Sequence, residues 1–128
     1  MRLLIDTNLL LWAALDDRRF PAAAATLLGD PANELHVSAA TIWEVAIKTS
    51  RGNPSFQVDP LAFRRALLNS GYIELPITGE HAVAVSSLPP LHKDPFDRIL
   101  IAQATVEGIT LLTSDRQVAK YPGPIRKV

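Results

Sequence analysis

The sequence predicts an α/β protein with three layers, α/β/α, around a mostly parallel central sheet of Rossmann-like topology. Two observations predict it. Short apolar runs without polar alternation, such as Leu3-Leu4-Ile5 and Ile109-Thr110-Leu111-Leu112-Thr113, read as strands buried on both faces. Helical stretches separate these runs one after another, and strands that alternate with helices build a parallel sheet covered on both sides. A chain of 128 residues, 48% hydrophobic and 20% charged, is expected to fold as one domain, 1–128, with a real core.

Each element has a local reason. Residues 2–5 form the first buried strand, and the Leu- and Ala-rich stretch 8–16 a helix. Pro21 opens a helix over 22–28 that ends at Gly29. Residues 34–37 are a second strand. Ser38 is a suitable N-cap for a helix to about Ser50, with Gly52 beyond its end. Asp59-Pro60 starts a helix that stops at Gly71, and Pro76 stops a third strand over 72–75. Thr78 caps a helix to about Ser87, after which Pro89-Pro90 break the chain. Asp94-Pro95 opens a helix ending near Gly108, and 109–113 form the fourth strand. A short helix from Arg116 and an edge strand near 124–127 complete the pattern.

Composition removes several classes of function. A formal net charge of zero argues against a long nonspecific nucleic-acid footprint, while leaving room for a small cleft that grips a few phosphates. Without cysteine there is no disulfide, zinc thiolate or thiol nucleophile, which is compatible with the expected cytoplasmic location. Asp6 interrupts the N-terminal apolar stretch and Asp16-Asp17-Arg18-Arg19 follows it, so an export signal is not expected. No run approaches the ~18 apolar residues of a membrane span, and no membrane partner is expected.

Four separated acids are candidates for one pocket: Asp6, Glu44, Asp97 and Asp115. Asp6 and Asp115 each follow a buried strand. If those strands are parallel neighbours, both carboxylates emerge at the sheet edge where open α/β folds place ligands. Such a cluster repels itself in water and makes sense mainly around a divalent cation. Each acid also has a plainer reading. Asp6 and Asp115 suit N-caps, with Thr7 or Asn8 in support of Asp6 if it binds metal. Glu44 and Lys48 have the spacing of an exposed ion pair, although Trp43, Val45 and Ile47 leave that helix little polar surface. Asp94 and Asp97 fit N-cap and N3 of one helix, close to a capping box. Of the histidines, His36 reads as structural and His81 as a helix-surface residue. His92, beside Lys93, is placed to meet a phosphate, and no two histidines have zinc-ligand spacing. Trp12, Leu9 to Leu15 and the helix over 22–28 read either as core or as an apolar surface for a partner helix.

Four segments, taken together, resemble the PIN domain, and more narrowly the VapC-type toxins of toxin–antitoxin pairs. They are Leu3-Leu4-Ile5-Asp6-Thr7-Asn8, the stretch from Ser38 through Trp43-Glu44 to Lys48, His92-Lys93-Asp94-Pro95-Phe96-Asp97-Arg98, and Leu112-Thr113-Ser114-Asp115-Arg116. The resemblance covers essentially the whole chain. It implies a metal-dependent endoribonuclease, usually a homodimer, that is silenced by a cognate antitoxin. The family's acids map onto Asp6, Glu44, Asp97 and Asp115, with Asp94 close enough to assist. On this reading Asp6, Glu44 and Asp97 hold Mg²⁺ or Mn²⁺, and Asp115 holds a second ion or orients the attacking water. Lys48, Lys93, Arg98 and Arg116 are candidate contacts to RNA phosphates. Two rivals stand beside it: another metal-dependent phosphoryl-transfer enzyme, and a non-catalytic α/β interaction module whose acids only cap helices.

Overall fold

The computed structural model describes residues 1–128. Five parallel strands form one sheet in the order β3-β2-β1-β4-β5, where β1 is Arg2–Ile5, β2 Glu34–Ser38, β3 Ile73–Leu75, β4 Thr110–Thr113 and β5 Ile125–Lys127. β1 lies at the centre, with Leu4 beside His36 on one neighbour and Leu111 on the other. Seven helices connect the strands: α1 (Thr7–Ala14), α2 (Ala22–Gly29), α3 (Ala39–Ser50), α4 (Pro60–Asn69), α5 (Gly79–Ala84), α6 (Pro95–Glu107) and α7 (Arg116–Ala119). A 3₁₀ turn at Val85–Ser87 extends α5. The predicted three-layer α/β/α architecture is the observed one.

Strand alternation divides the core. Leu3, Ile5 and Val37 pack with Leu9, Leu10 and Ala24 and with Phe63 and Leu67 of α4. Leu4 and Leu111 pack on the other face against Leu100, Ile101 and Ala104 of α6 and Val118 of α7. Helix α3 touches both clusters, Val45 in the first and Ala40 in the second. Ala40, Thr41, Glu44 and Val45 of this helix are buried, and only Trp43 and Ser50 are exposed.

The caps follow the sequence closely. Ser38, Asp59, Thr78, Asp94 and Asp115 each accept a hydrogen bond from the first turn of the following helix. Pro21 sits one position outside α2 as its cap rather than inside its first turn. Gly108 ends α6 at φ 66°, a left-handed conformation that glycine adopts without a Cβ penalty.

His81 departs from the expected surface position. It is 0% exposed, its Nδ1 accepts from the Thr78 amide at 3.0 Å, and its Nε2 lies 2.8 Å from Glu107 Oε2. Histidine at N3 here performs the return bond that Glu or Gln makes in a capping box, and so closes the helix start from inside the fold. The apolar stretch near the N-terminus is mixed in character. Leu9, Leu10 and Leu11 are core, Trp12 packs against the core part-buried, and Leu15 is exposed.

Candidate functional site

Parallel pairing of β1 with β4 brings the ends of both strands to one edge, as their two acids suggested. The Asp6 amide donates to Leu112 O at 3.0 Å, which locks the residue into register beside β4. Asp6 is buried, at 4% exposure. Its carboxylate accepts from the Asn8 amide at 2.8 Å and from the Thr113 hydroxyl at 2.8 Å. Thr113 also accepts from the Asp115 amide, so a single hydroxyl ties the two strand-end acids together. Support for Asp6 therefore comes from the backbone of Asn8 and the side chain of Thr113. The Thr7 hydroxyl instead bonds Thr41 at 2.9 Å and joins the starts of α1 and α3.

Glu44 is 7% exposed although it sits on a helix surface residue's usual partner spacing. Lys48 Nζ lies 3.1 Å from its Oε2, and Oε1 is buried with no hydrogen-bond partner. The expected ion pair and the expected cleft position both occur. A buried carboxylate oxygen without a partner costs free energy unless a cation or donor reaches it.

Asp97, at N3 of α6, does not complete a capping box. It turns away from the Asp94 backbone, and its Oδ2 lies 2.8 Å from His92 Nε2. Asp94 is the cap, its Oδ1 accepting from Phe96 and Asp97 amides. Asp115 caps α7 through Gln117 and Val118. Its plain structural reading therefore holds even as its charge bears on Asp6.

The electrostatics join these acids. Burial pushes the Asp6 carboxyl above its ordinary range. The bonds from Thr113 and the Asn8 amide oppose that shift, and the charges of Glu44 and Asp115 add to it. Asp97 is pushed up to about 7, first by burial, then by the charges of Asp6 and Asp94; the His92 bond pulls the other way and Glu44 adds a smaller push. Asp6, Glu44, Asp97 and Asp115 are thus electrostatic neighbours, drawn from the turn after β1, α3, α6 and the cap of α7.

Two groupings of donors arise. His92, Asp94 and Asp97 offer ligand atoms within 4.8 Å of one another. Asp6, Glu44 and Asp97 are buried or part-buried acids whose charges act on one another. We favour the second as the core of a cation centre, because the Asp94 Oδ1 is already committed to two amides while Glu44 Oε1 is free. These hard oxygen donors suit a divalent cation of the Mg²⁺ type. His92, which the sequence offered as a phosphate contact, is hydrogen-bonded to Asp97.

The basic residues divide. Lys48 and Lys93 line an open cleft of ≈ 400 Å³ that begins at Glu44. Arg51, which the sequence did not single out, lines it too, one helical turn beyond Lys48. Arg116 is exposed beside Asp115. Arg98 departs from the expected phosphate role. Its guanidinium bonds Pro89 O, the Tyr121 hydroxyl, Val85 O and Leu88 O at 2.9 to 3.4 Å. Its donors are spent on closing the end of the 3₁₀ turn and the loop that carries His92 and Lys93. Tyr121 completes that tether through the His92 amide at 2.8 Å.

A Rossmann-like sheet with carboxylates gathered at its carboxyl edge offers oxygen donors where open α/β folds place their ligands. A family model for the PIN domain matches residues 3–124, and the chain belongs to that family, whose members are generally nucleases. No curated protein matches the sequence. Among solved structures, a chain of VapBC2 from Rickettsia felis, crystallised with a DNA fragment from its promoter, is 16% identical with a TM-score of 0.73 and covers 100% of this chain and 99% of that one. A chain of a toxin–antitoxin complex from Klebsiella pneumoniae is 24% identical with a TM-score of 0.64, covering 98% and 99%. A chain of DNA-bound VapBC from Salmonella typhimurium is 14% identical with a TM-score of 0.66, covering 99% and 98%. The shared fold extends over both partners of each comparison. No helix of the chain is long and apolar enough to cross a membrane.

Proposed function

We propose that residues 1–128 are one metal-dependent endoribonuclease domain that acts as the toxin of a VapC-type toxin–antitoxin pair. The observation that carries the proposal is the partnerless buried oxygen of Glu44 beside two acids whose carboxyls are pushed up, in a chain of the PIN family. Asp6, Glu44 and Asp97 would hold Mg²⁺ or Mn²⁺, with Asp115, and Asp94 to a lesser extent, adding negative charge at the rim. Such an ion, once bound, supplies an activated water and neutralises charge on the phosphodiester. The chain's own residues do the rest. Thr113 and the Asn8 amide fix Asp6, His92 fixes Asp97, and Lys48 and Lys93, which line the cleft beside Glu44, together with Arg116 would contact the phosphates.

RNA as substrate, a homodimeric state and a cytoplasmic setting belong to the same proposal, by analogy with the VapC family. An antitoxin partner is supported by the Klebsiella and VapBC assemblies that share the fold. A basic side chain of that partner can reach the same carboxylates in place of the cation. The test is direct. The purified chain, free of any partner, is expected to cut cellular RNA at few sites in millimolar Mg²⁺ and to stop when EDTA is in excess. Equal cleavage in EDTA would exclude the mechanism, and cells that tolerate high expression of the active chain alone would exclude the toxin role.

A further inference from the structure

Beside the buried Glu44, the adjacent residue of α3 does the opposite. Trp43 is 58% exposed, the largest side chain left in water on this protein. It is not loose. Its ring meets Phe96 edge to face, with centroids 5.0 Å apart and planes at 75°. Phe96 immediately precedes Asp97, so the aromatic pair bridges the two helices that carry Glu44 and Asp97. Phe96 holds the ring in place, and both rings line a hollow together with Lys93.

Two hollows flank this pair. On one side runs the cleft of Glu44, Lys48, Arg51, Lys93 and Asp94, and it continues past Lys48 and Arg51 into a further hollow of ≈ 290 Å³ with Asn53, Ser55 and Phe56. On the other is a more apolar hollow of ≈ 410 Å³, lined by Trp43 itself with Ile77 and Val85, and Lys93 and Phe96 line both hollows. Arg51 and Lys93 form no ion pair anywhere in the chain, although the protein as a whole is neutral. Unpaired cations along a groove beside an exposed, fixed aromatic ring are the two components of single-strand nucleic-acid binding. Cations follow the phosphates, and a base stacks on the ring. A helix of a partner protein would use the apolar hollow, where Lys93 also lies, but would leave Arg51 in the adjoining cleft without a counterpart. The charges favour a polyanion.

We propose that Trp43 is a substrate-positioning residue. Its indole stacks on an unpaired base next to the phosphate at the carboxylates, while Arg51 and Lys93 hold neighbouring phosphates. The proposal rests on the nuclease reading and adds to it the residue that holds a base beside the cleavage site, with little preference for which base, because every base offers a stacking face.

Binding and cleavage test it separately. In a Trp12→Phe background Trp43 is the only indole. Titration of that protein, in EDTA, with a 2′-O-methyl RNA oligonucleotide should quench its fluorescence, whereas an abasic chain of equal length should not. Trp43→Ala should weaken oligonucleotide binding by about 5- to 150-fold, and Trp43→Phe should restore most of it. Arg51→Ala should reduce the salt dependence of binding by about 0.7 in log–log slope, one phosphate contact. With Mg²⁺, Trp43→Ala should raise KM and leave kcat nearly unchanged, the signature of lost uniform binding. An unchanged melting temperature in Trp43→Ala would confirm that the fold is intact, and Trp43→Phe carries the test if it is not. Equal quenching by the abasic chain, or quenching that follows protein concentration rather than oligonucleotide, would overturn the proposal, the latter in favour of a protein contact. If cleavage proceeds and is chelator-sensitive while Trp43→Ala binds and cleaves as wild type does, the stacking role fails and the nuclease stands. If Trp43 quenches on RNA but no metal-dependent cleavage occurs, the stacking role stands and the nuclease fails.

Discussion

Carboxylates at the periphery of this protein and carboxylates at the carboxyl edge of its sheet are treated in opposite ways. Asp17 is clasped by two Arg19 nitrogens at 3.0 and 2.8 Å and held at about 2, and Glu74 is clasped by Arg64 at 2.6 and 3.1 Å and held below its ordinary range. Glu107 meets His81. At the sheet edge the more deeply buried acids receive less. Asp6 has an amide and a hydroxyl, Asp97 an imidazole, and Glu44 a lysine on one oxygen and nothing on the other. The chain contains as many Lys and Arg as Asp and Glu, 13 of each, so the shortage is one of placement and not of supply. Acids that the fold buries without neutralising are suited to a charge that arrives from outside.

The contrast breaks most visibly in activity. Asp6→Asn and Asp97→Asn are each expected to lower RNA cleavage by more than about 100-fold, beyond what loss of a supporting group costs, because an amide is a poor substitute for an anionic ligand. Thr113→Val removes only the hydroxyl that holds Asp6 and should cost about 10- to 100-fold. Asp94→Asn should cost less than either, since Asn caps a helix nearly as well as Asp. Initial rates at saturating Mg²⁺ rank the four. A dead Asp94→Asn beside an active Asp97→Asn would move the third acid to Asp94 and favour the His92-Asp94-Asp97 grouping.

The second way is thermal. If the edge acids repel one another in the metal-free protein, Mg²⁺ at 100 times its Kd should add about 2.7 kcal/mol of stability. Asp6→Asn should make the metal-free protein as stable or more stable, while shrinking the Mg²⁺ response. Helix caps acting independently give no such coupling, so an absent Mg²⁺ shift in wild type would dismantle the shared centre.

Much of this was legible in the sequence because it is local. Apolar runs between capping residues gave the strand and helix order, and Asp6 and Asp115 each following such a run gave the shared edge. What escaped depends on contacts between distant segments. The side of α3 on which Trp43 falls is decided by the two core clusters that the helix bridges, and apolar neighbours in sequence do not reveal it. Arg98 is absorbed by carbonyls of a loop whose path no spacing predicts. His81 did leave a signal. Thr78 and His81 have the spacing of a capping box, with histidine in the place of Glu, and a buried return bond was the alternative to a surface residue.

A third expectation concerns pH, where the two regions should respond with opposite signs. The folded Asp97 carboxyl, at about 7, binds its proton more tightly than the ordinary 3.8 of an unfolded chain. Its contribution favours the fold at low pH and is lost as pH rises from about 4 through 7. Metal-free wild type should therefore lose stability relative to Asp97→Asn across that window, and melts in EDTA at a series of pH values measure the difference. A flat difference would mean that burial and the neighbouring acids do not raise the Asp97 carboxyl.

Glu74 should show the reverse sign and the smallest effect. Its lowered folded value means that the unfolded chain binds the proton more readily, so its stabilisation is present above the ordinary 4.5 and lost as pH falls through the lowered folded value. Water screens this pair, whose side chains are 43% and 31% exposed, and surface pairs of this kind contribute little. Glu74→Gln at pH 7 should lower the melting temperature by about 4 °C at most. Salt then separates the two regions. At 1 M ionic strength the Debye length falls to about 3 Å, and the Glu74→Gln difference should nearly vanish. The Asp97→Asn difference should persist, because its first cause is burial, which salt does not relieve. If salt erased both differences equally, the edge acids would be ordinary surface charges and the contrast between the regions would collapse.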